Sequence, residues 1–113
     1  MKDYQKVIEK MNTIINHYHR ADMTDGLALN TYLKDLSSAL YYMETVRANV
    51  HDNWQRCVKE LISQGNSVSR SENEAHVKYP EMYMLRRVLD SAYEVVGALR
   101  TNISYLKNEK NLN

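Results

Sequence analysis

Apolar side chains recur along this chain at alternating spacings of three and four, the period of a helix with one buried face. The first such run holds Tyr4, Val7, Met11, Ile14 and Tyr18, widened by Ile8 and Ile15, and predicts a helix from about residue 3 to 21 with Asp3 as its N-cap. Asp25-Gly26 is a turn signal and closes that element. A second helix, predicted from about 28 to 64, carries Leu29, Leu33, Leu36, Leu40, Met43, Arg47, Val50, Trp54, Cys57 and Leu61. Only Arg47 interrupts this apolar seam, either snorkelling outward or fixing register between helices. Gly65 stands where a C′ glycine belongs. The stretch 65–79 is polar and reads as a connection between helices, although Ser69 with Glu72 and Ser71 with Glu74 also fit capping-box spacing. Pro80 opens a last helix or kinks a continuous one, and Met82, Leu85, Leu89, Ala92, Val96, Leu99, Ile103 and Leu106 carry it to about residue 110. No internal repeat or low-complexity tract is visible.

The predicted fold is therefore all-α: a single domain over 1–113, an elongated three-helix arrangement dominated by a long antiparallel hairpin with coiled-coil-like packing. Helices near thirty residues span roughly 45 Å at 1.5 Å per residue, far more than the radius of gyration of about 13 Å of a compact chain this long. The first helix is about half as long and cannot cover both seams. Apolar surface is then left bare, which predicts self-association. Its seam residues are Leu33, Leu36, Leu40, Met43, Val50, Trp54, Leu61, Leu85, Leu89, Val96, Leu99 and Ile103.

Composition narrows the class. One Pro and three Gly in 113 residues leave too few corners for a turn-rich β fold. With no Phe, nine Tyr, six Met and one Trp supply most of the bulk. Fifteen basic and fourteen acidic residues give a net charge of +1, and the segments 1–30, 31–63 and 64–113 each balance to within one charge. That excludes a bulk electrostatic grip on duplex DNA or anionic lipid. The longest stretches free of charged residues, such as Met11 to His19, are about half of the roughly twenty residues a membrane span needs. No apolar signal-peptide core follows Lys2 and Asp3, and the single Cys57 excludes an internal disulfide. A cytoplasmic protein is expected, with Cys57 read as a small buried residue beside Trp54.

No catalytic motif is present: no Gly-rich phosphate loop, no Gly-x-Ser-x-Gly and no His-Glu-x-x-His. His17 and His19 diverge by about 200° around a helix, and His51 and Cys57 also diverge. No enzyme, metal or cofactor is expected. One stripe does carry chemistry. Tyr79, Arg86, Tyr93, Arg100 and Lys107 recur every seven residues on the last helix, with Arg87 beside them, Arg70 and Lys78 upstream and Lys110 downstream. Arg and Lys grip phosphates and Tyr stacks on unpaired bases, which suits single-stranded nucleic acid. A flank whose stems cover core while their tips reach water, or a docking face for another protein, gives the same pattern. Gly97, inside the last helix, suggests a close helix crossing, since glycine there costs about 1 kcal/mol relative to Ala.

The second half, from Gly65-Asn-Ser-Val-Ser-Arg-Ser-Glu-Asn-Glu-Ala through Tyr79-Pro-Glu-Met-Tyr to Ile103-Ser-Tyr-Leu-Lys107, resembles small phage-encoded helical proteins of the UvsY-like recombination-mediator family. The resemblance covers roughly residues 41 to 107 and lies in layout: a polar segment, then a long helix carrying Tyr and Arg. It implies ring-like homo-oligomers that bind single-stranded DNA and load a recombinase, without catalysis. The positions it would assign to DNA are Arg70, Lys78, Arg86, Arg87 and Arg100, beside Tyr93 and Lys107 from the stripe. The near-neutral charge and the extra N-terminal helix depart from that pattern. The competing expectation is a helical module that binds a host protein, such as a defence or regulatory factor.

Overall fold

The computed structural model describes residues 3–112, with side-chain surroundings described to residue 109. It contains four helices and, among the described residues, no strand: α1 (Asp3–Arg20), α2 (Gly26–Ser63), α3 (Val68–Lys78) and α4 (Glu81–Leu112). The molecule is a rod of 69 × 29 × 19 Å with a radius of gyration of 19.0 Å. The all-α class holds. The three-helix arrangement does not, because Val68–Lys78 within the polar stretch folds as α3.

Each break has a local cause. The Asp25 side chain accepts a hydrogen bond from the Ala28 backbone N–H at 3.1 Å and caps α2. Gly65, at φ +94°, ends α2 in a Schellman pair: its N–H donates to the Ile62 carbonyl at 3.0 Å and the Asn66 N–H to the Leu61 carbonyl at 3.2 Å. Ser67, not Ser69 or Ser71, caps α3 by accepting from the Arg70 N–H at 3.2 Å. Pro80 supplies no N–H and holds Tyr79 out of helical geometry, so α3 ends there and α4 starts at Glu81. Asp3 is the first residue of α1 rather than its cap, placing its carboxylate at the positive end of the helix dipole. At the other terminus α4 continues to Leu112, past the end near residue 110 that the spacing predicts; Asn113 lies outside the described residues.

α4 runs antiparallel to α2, with Leu106 beside Gly26, Tyr93 bonded to Glu44, and Arg86 and Arg47 lining one cavity. α1 packs on the first half of α2 and the second half of α4, and α3 packs on the second half of α2. The core lies where α1, α2 and α4 meet: Met11, Leu29, Leu36, Met43, Leu85, Leu89, Ala92 and Leu99 are fully buried. Leu40, Val96 and Ile103 are nearly so, whereas Leu33, Val50, Trp54 and Leu61 are only partly buried. Asn102 ties α1 to α4 by donating to the Tyr18 hydroxyl at 2.8 Å.

α3 escapes a reading based on bulky residues because its buried face is made of small ones. Ser71 and Ala75, four apart, are both fully buried. Thus the far end of the hairpin is covered after all, by a short helix with little apolar mass. Two further expectations change. Gly97 is exposed and a Cβ there would meet nothing within 4 Å, so no crossing inside the chain accounts for it. Cys57 is free and half-buried rather than buried.

Candidate functional site

Beyond Met43 no residue of α2 is fully buried, and a groove opens between α2, the start of α4 and α3. Its deeper part is a cavity of about 700 Å³ whose lining includes Arg47, His51, Trp54, His76, Tyr83 and Arg86. A second cavity of about 570 Å³ continues along the α2/α4 boundary past Tyr41, Tyr93 and Arg100. The two share Glu44 and Ala48.

Four rings run through the deeper cavity in sequence. His51 and Trp54 lie 5.9 Å apart between centroids, Trp54 and His76 5.3 Å, and His76 and Tyr83 4.8 Å, each pair tilted by 32° to 34°. The Tyr83 hydroxyl lies 3.4 Å from His76 Nε2. Spacing of three on α2 puts His51 and Trp54 on one face, and the Tyr79-Pro80 break lets α3 bring His76 against them. Trp54 Nε1, His76 Nδ1 and the hydroxyl of Ser71 are shielded from solvent and have no hydrogen-bond partner among the described residues. The indole N–H can only donate, so it is left asking for an acceptor.

The charges are mixed. Glu44 sits at the centre, paired with Arg47 at 3.3 Å and accepting from the Tyr93 hydroxyl at 2.8 Å. That hydrogen bond, then burial and the carboxylate's own charge, raise the Tyr93 pKa above its ordinary value, with Arg47 opposing. Glu72 and Asp52 also line the deeper cavity. Arg47 is exposed and takes the snorkelling alternative.

Of the stripe expected on the last helix, Arg86, Tyr93 and Arg100 come together along this groove. Arg87 and Lys107 are exposed and line neither cavity. Arg70 is exposed and engages Glu74 at 3.1 Å, and the exposed Lys78 lies over the Tyr79 ring at 5.7 Å. Those four do not join the site. The Lys110 side chain lies outside the described residues. His51, Tyr83, Glu44 and Arg47 belong to the groove but escape sequence reasoning. The one available signal was the heptad step from His76 to Tyr83, which joins one face only if the helical path continues across Pro80.

Among the described residues no group of three His, Cys, Asp or Glu side chains could hold a metal ion. None of the helices is long and apolar enough to cross a membrane. No protein-family model matches the chain, and comparison with curated proteins and with solved structures returned no match.

Proposed function

We propose that the chain is a non-catalytic, self-associating accessory protein that binds single-stranded nucleic acid along the α2/α4 groove. The observation that carries this reading is the row of four rings flanked by Arg47 and Arg86, with Tyr93 and Arg100 further along. Unpaired bases stack on such rings, while arginines reach the backbone. The role in phage recombination or replication, with a recombinase as further partner, is what the resemblance to UvsY-like mediators adds. A cytoplasmic location goes with this reading and with the free Cys57.

The groove's mixed charge makes the test sharp. Three arginines facing phosphate give a salt slope of only about −2, at 0.7 per phosphate for a single strand. Fluorescence anisotropy with a labelled oligonucleotide is therefore expected to show binding that fades gently with salt. Arg86→Ala combined with Arg100→Ala weakens it and flattens the slope further. No binding by the unmutated protein at low salt overturns the proposal.

One observation favours the second reading, a docking site for another protein. Glu44, Asp52 and Glu72 share the cavity with the arginines, and carboxylates repel a polyanion but not a mixed-charge protein surface. On that reading the partner is a host defence or regulatory protein, and the oligonucleotide assay is blank.

A further inference from the structure

Three charged side chains that line the deeper cavity, Asp52, Glu72 and Arg86, have no hydrogen bond or ion pair among the described residues. The charges at the centre of the groove are matched instead: Glu44 holds Arg47 and accepts from the Tyr93 hydroxyl. Glu72 and Arg86 share the cavity without engaging each other. Their places follow from helix spacing. Glu72 stands four residues before His76 on α3, and Arg86 three residues after Tyr83 on α4, so each neighbours a ring on its own helix. The rings of His76 and Tyr83 lie 4.8 Å apart. A carboxylate and a guanidinium, from two different helices, therefore flank one pair of rings. Tyr83 ends the row and is 57% exposed, which leaves ring surface for a ligand.

We infer that Glu72 and Arg86 select guanine among the bases of the bound strand, with the base lying on the Tyr83 ring. The inference rests on the nucleic-acid reading above and gives that site a base preference. An ionised carboxylate only accepts and a guanidinium only donates. Guanine offers both of them a two-point contact: the adjacent N1–H and N2–H donors suit the carboxylate, and O6 with N7 suits the guanidinium. Adenine and cytosine present one amino group beside a ring acceptor, and thymine one N–H between two carbonyls. In each of these an acceptor faces the carboxylate and repels it. Glu72, which opposes a polyanion in general, thus favours one base over the rest. Asp52 stands beside His51, at the other end of the row of rings, and takes no part in this contact.

The test is fluorescence anisotropy of the full chain with labelled thymine strands carrying isolated guanines, inosines or 7-deazaguanines at the same positions. Keeping the guanines apart prevents the strands from folding on themselves. The guanine strand is expected to bind about tenfold more tightly than plain thymine, the discrimination of one good bidentate pair. Inosine lacks the N2 amino group and 7-deazaguanine lacks N7, so each of those strands loses part of the gain. Glu72→Gln replaces one acceptor oxygen with a donor and brings guanine and inosine to the same affinity. Arg86→Ala does the same for guanine and 7-deazaguanine. Arg87→Ala, the next residue but one that lines neither cavity, keeps both differences.

Each result is a ratio of two strands on one protein sample, so an overall gain or loss of grip cancels. Glu72 and Arg86 are both exposed, and unchanged helical circular dichroism checks that the variants fold. Equal affinity for all four strands, or differences that persist in Glu72→Gln and Arg86→Ala, overturns the base preference alone. If no strand binds at low salt, the preference and the nucleic-acid reading fall together.

Discussion

Leu36 and Leu61 lie on the same seam of α2, and truncating each to Ala measures how unevenly the rod is held together. Leu36 is fully buried in the core that α1, α2 and α4 share. Leu61 is only partly buried in the last turns before Gly65, a region that α3 covers with Ser71 and Ala75. Removing the Leu36 side chain beyond Cβ forfeits about 2.4 kcal/mol of transfer free energy, at 0.8 per methylene-sized group. The cavity left in a tightly packed site raises the total to about 3 to 5 kcal/mol. At Leu61 part of that surface already faces water and no sealed void forms, so the cost is about 1 kcal/mol. Against a total near 5 to 15 kcal/mol, the first change is severe and the second mild. Urea unfolding followed by far-UV circular dichroism, at one chain concentration and with equal m-values, reads the difference. Equal costs at the two leucines would refute the picture of a full core at one end and a thin one at the other.

Two further outcomes follow from single side chains. Gly97→Ala is expected to raise the melting temperature, by about 0.5 to 1 kcal/mol of added stability, because the new methyl group meets nothing within 4 Å and the helix gains propensity. A fall in melting temperature would mean that another molecule sits on that position. Tyr93 is expected to ionise above the ordinary tyrosine value in an ultraviolet titration, and Glu44→Gln lowers that upward displacement. Since its folded pKa is raised, its contribution to stability is complete below the ordinary tyrosine value and is lost as pH rises through the folded one. A Tyr93→Phe variant with an unchanged alkaline melting profile would contradict this.

The seam spacing was enough to place α2 and α4, because bulky apolar residues at steps of three and four report a buried face directly. The Asp25-Gly26 and Gly65 breaks were equally plain, since only a cap and a positive φ suit those residues. α3 was not legible for the opposite reason: its inward face is Ser71 and Ala75, which a pattern of large side chains does not register. The site was half legible. Arg86, Tyr93 and Arg100 lie on one helix, so their common stripe shows in the spacing. The rings of His51, Trp54, His76 and Tyr83 come from three helices, and only the turn at Gly65 and the break at Pro80 bring them together. Arg70 and Lys78 were drawn into the expected site by charge, whereas Glu74 and the Tyr79 ring engage them locally.

The distribution of buried polar atoms says why the groove lies where it does. Trp54 Nε1, the Ser71 hydroxyl and His76 Nδ1 are all removed from water without partners among the described residues, and all three lie on the second half of α2 or on α3. Each such group costs about 1 to 3 kcal/mol, so this end of the rod bears a penalty while also burying less apolar surface. The opposite end, where part-buried Asn102 donates to the Tyr18 hydroxyl at the edge of the shared core, carries neither burden. A chain selected for stability alone would fill the α3 end with leucines. The ligand site proposed above would give a reason for keeping an indole and an imidazole there instead, beside two arginines.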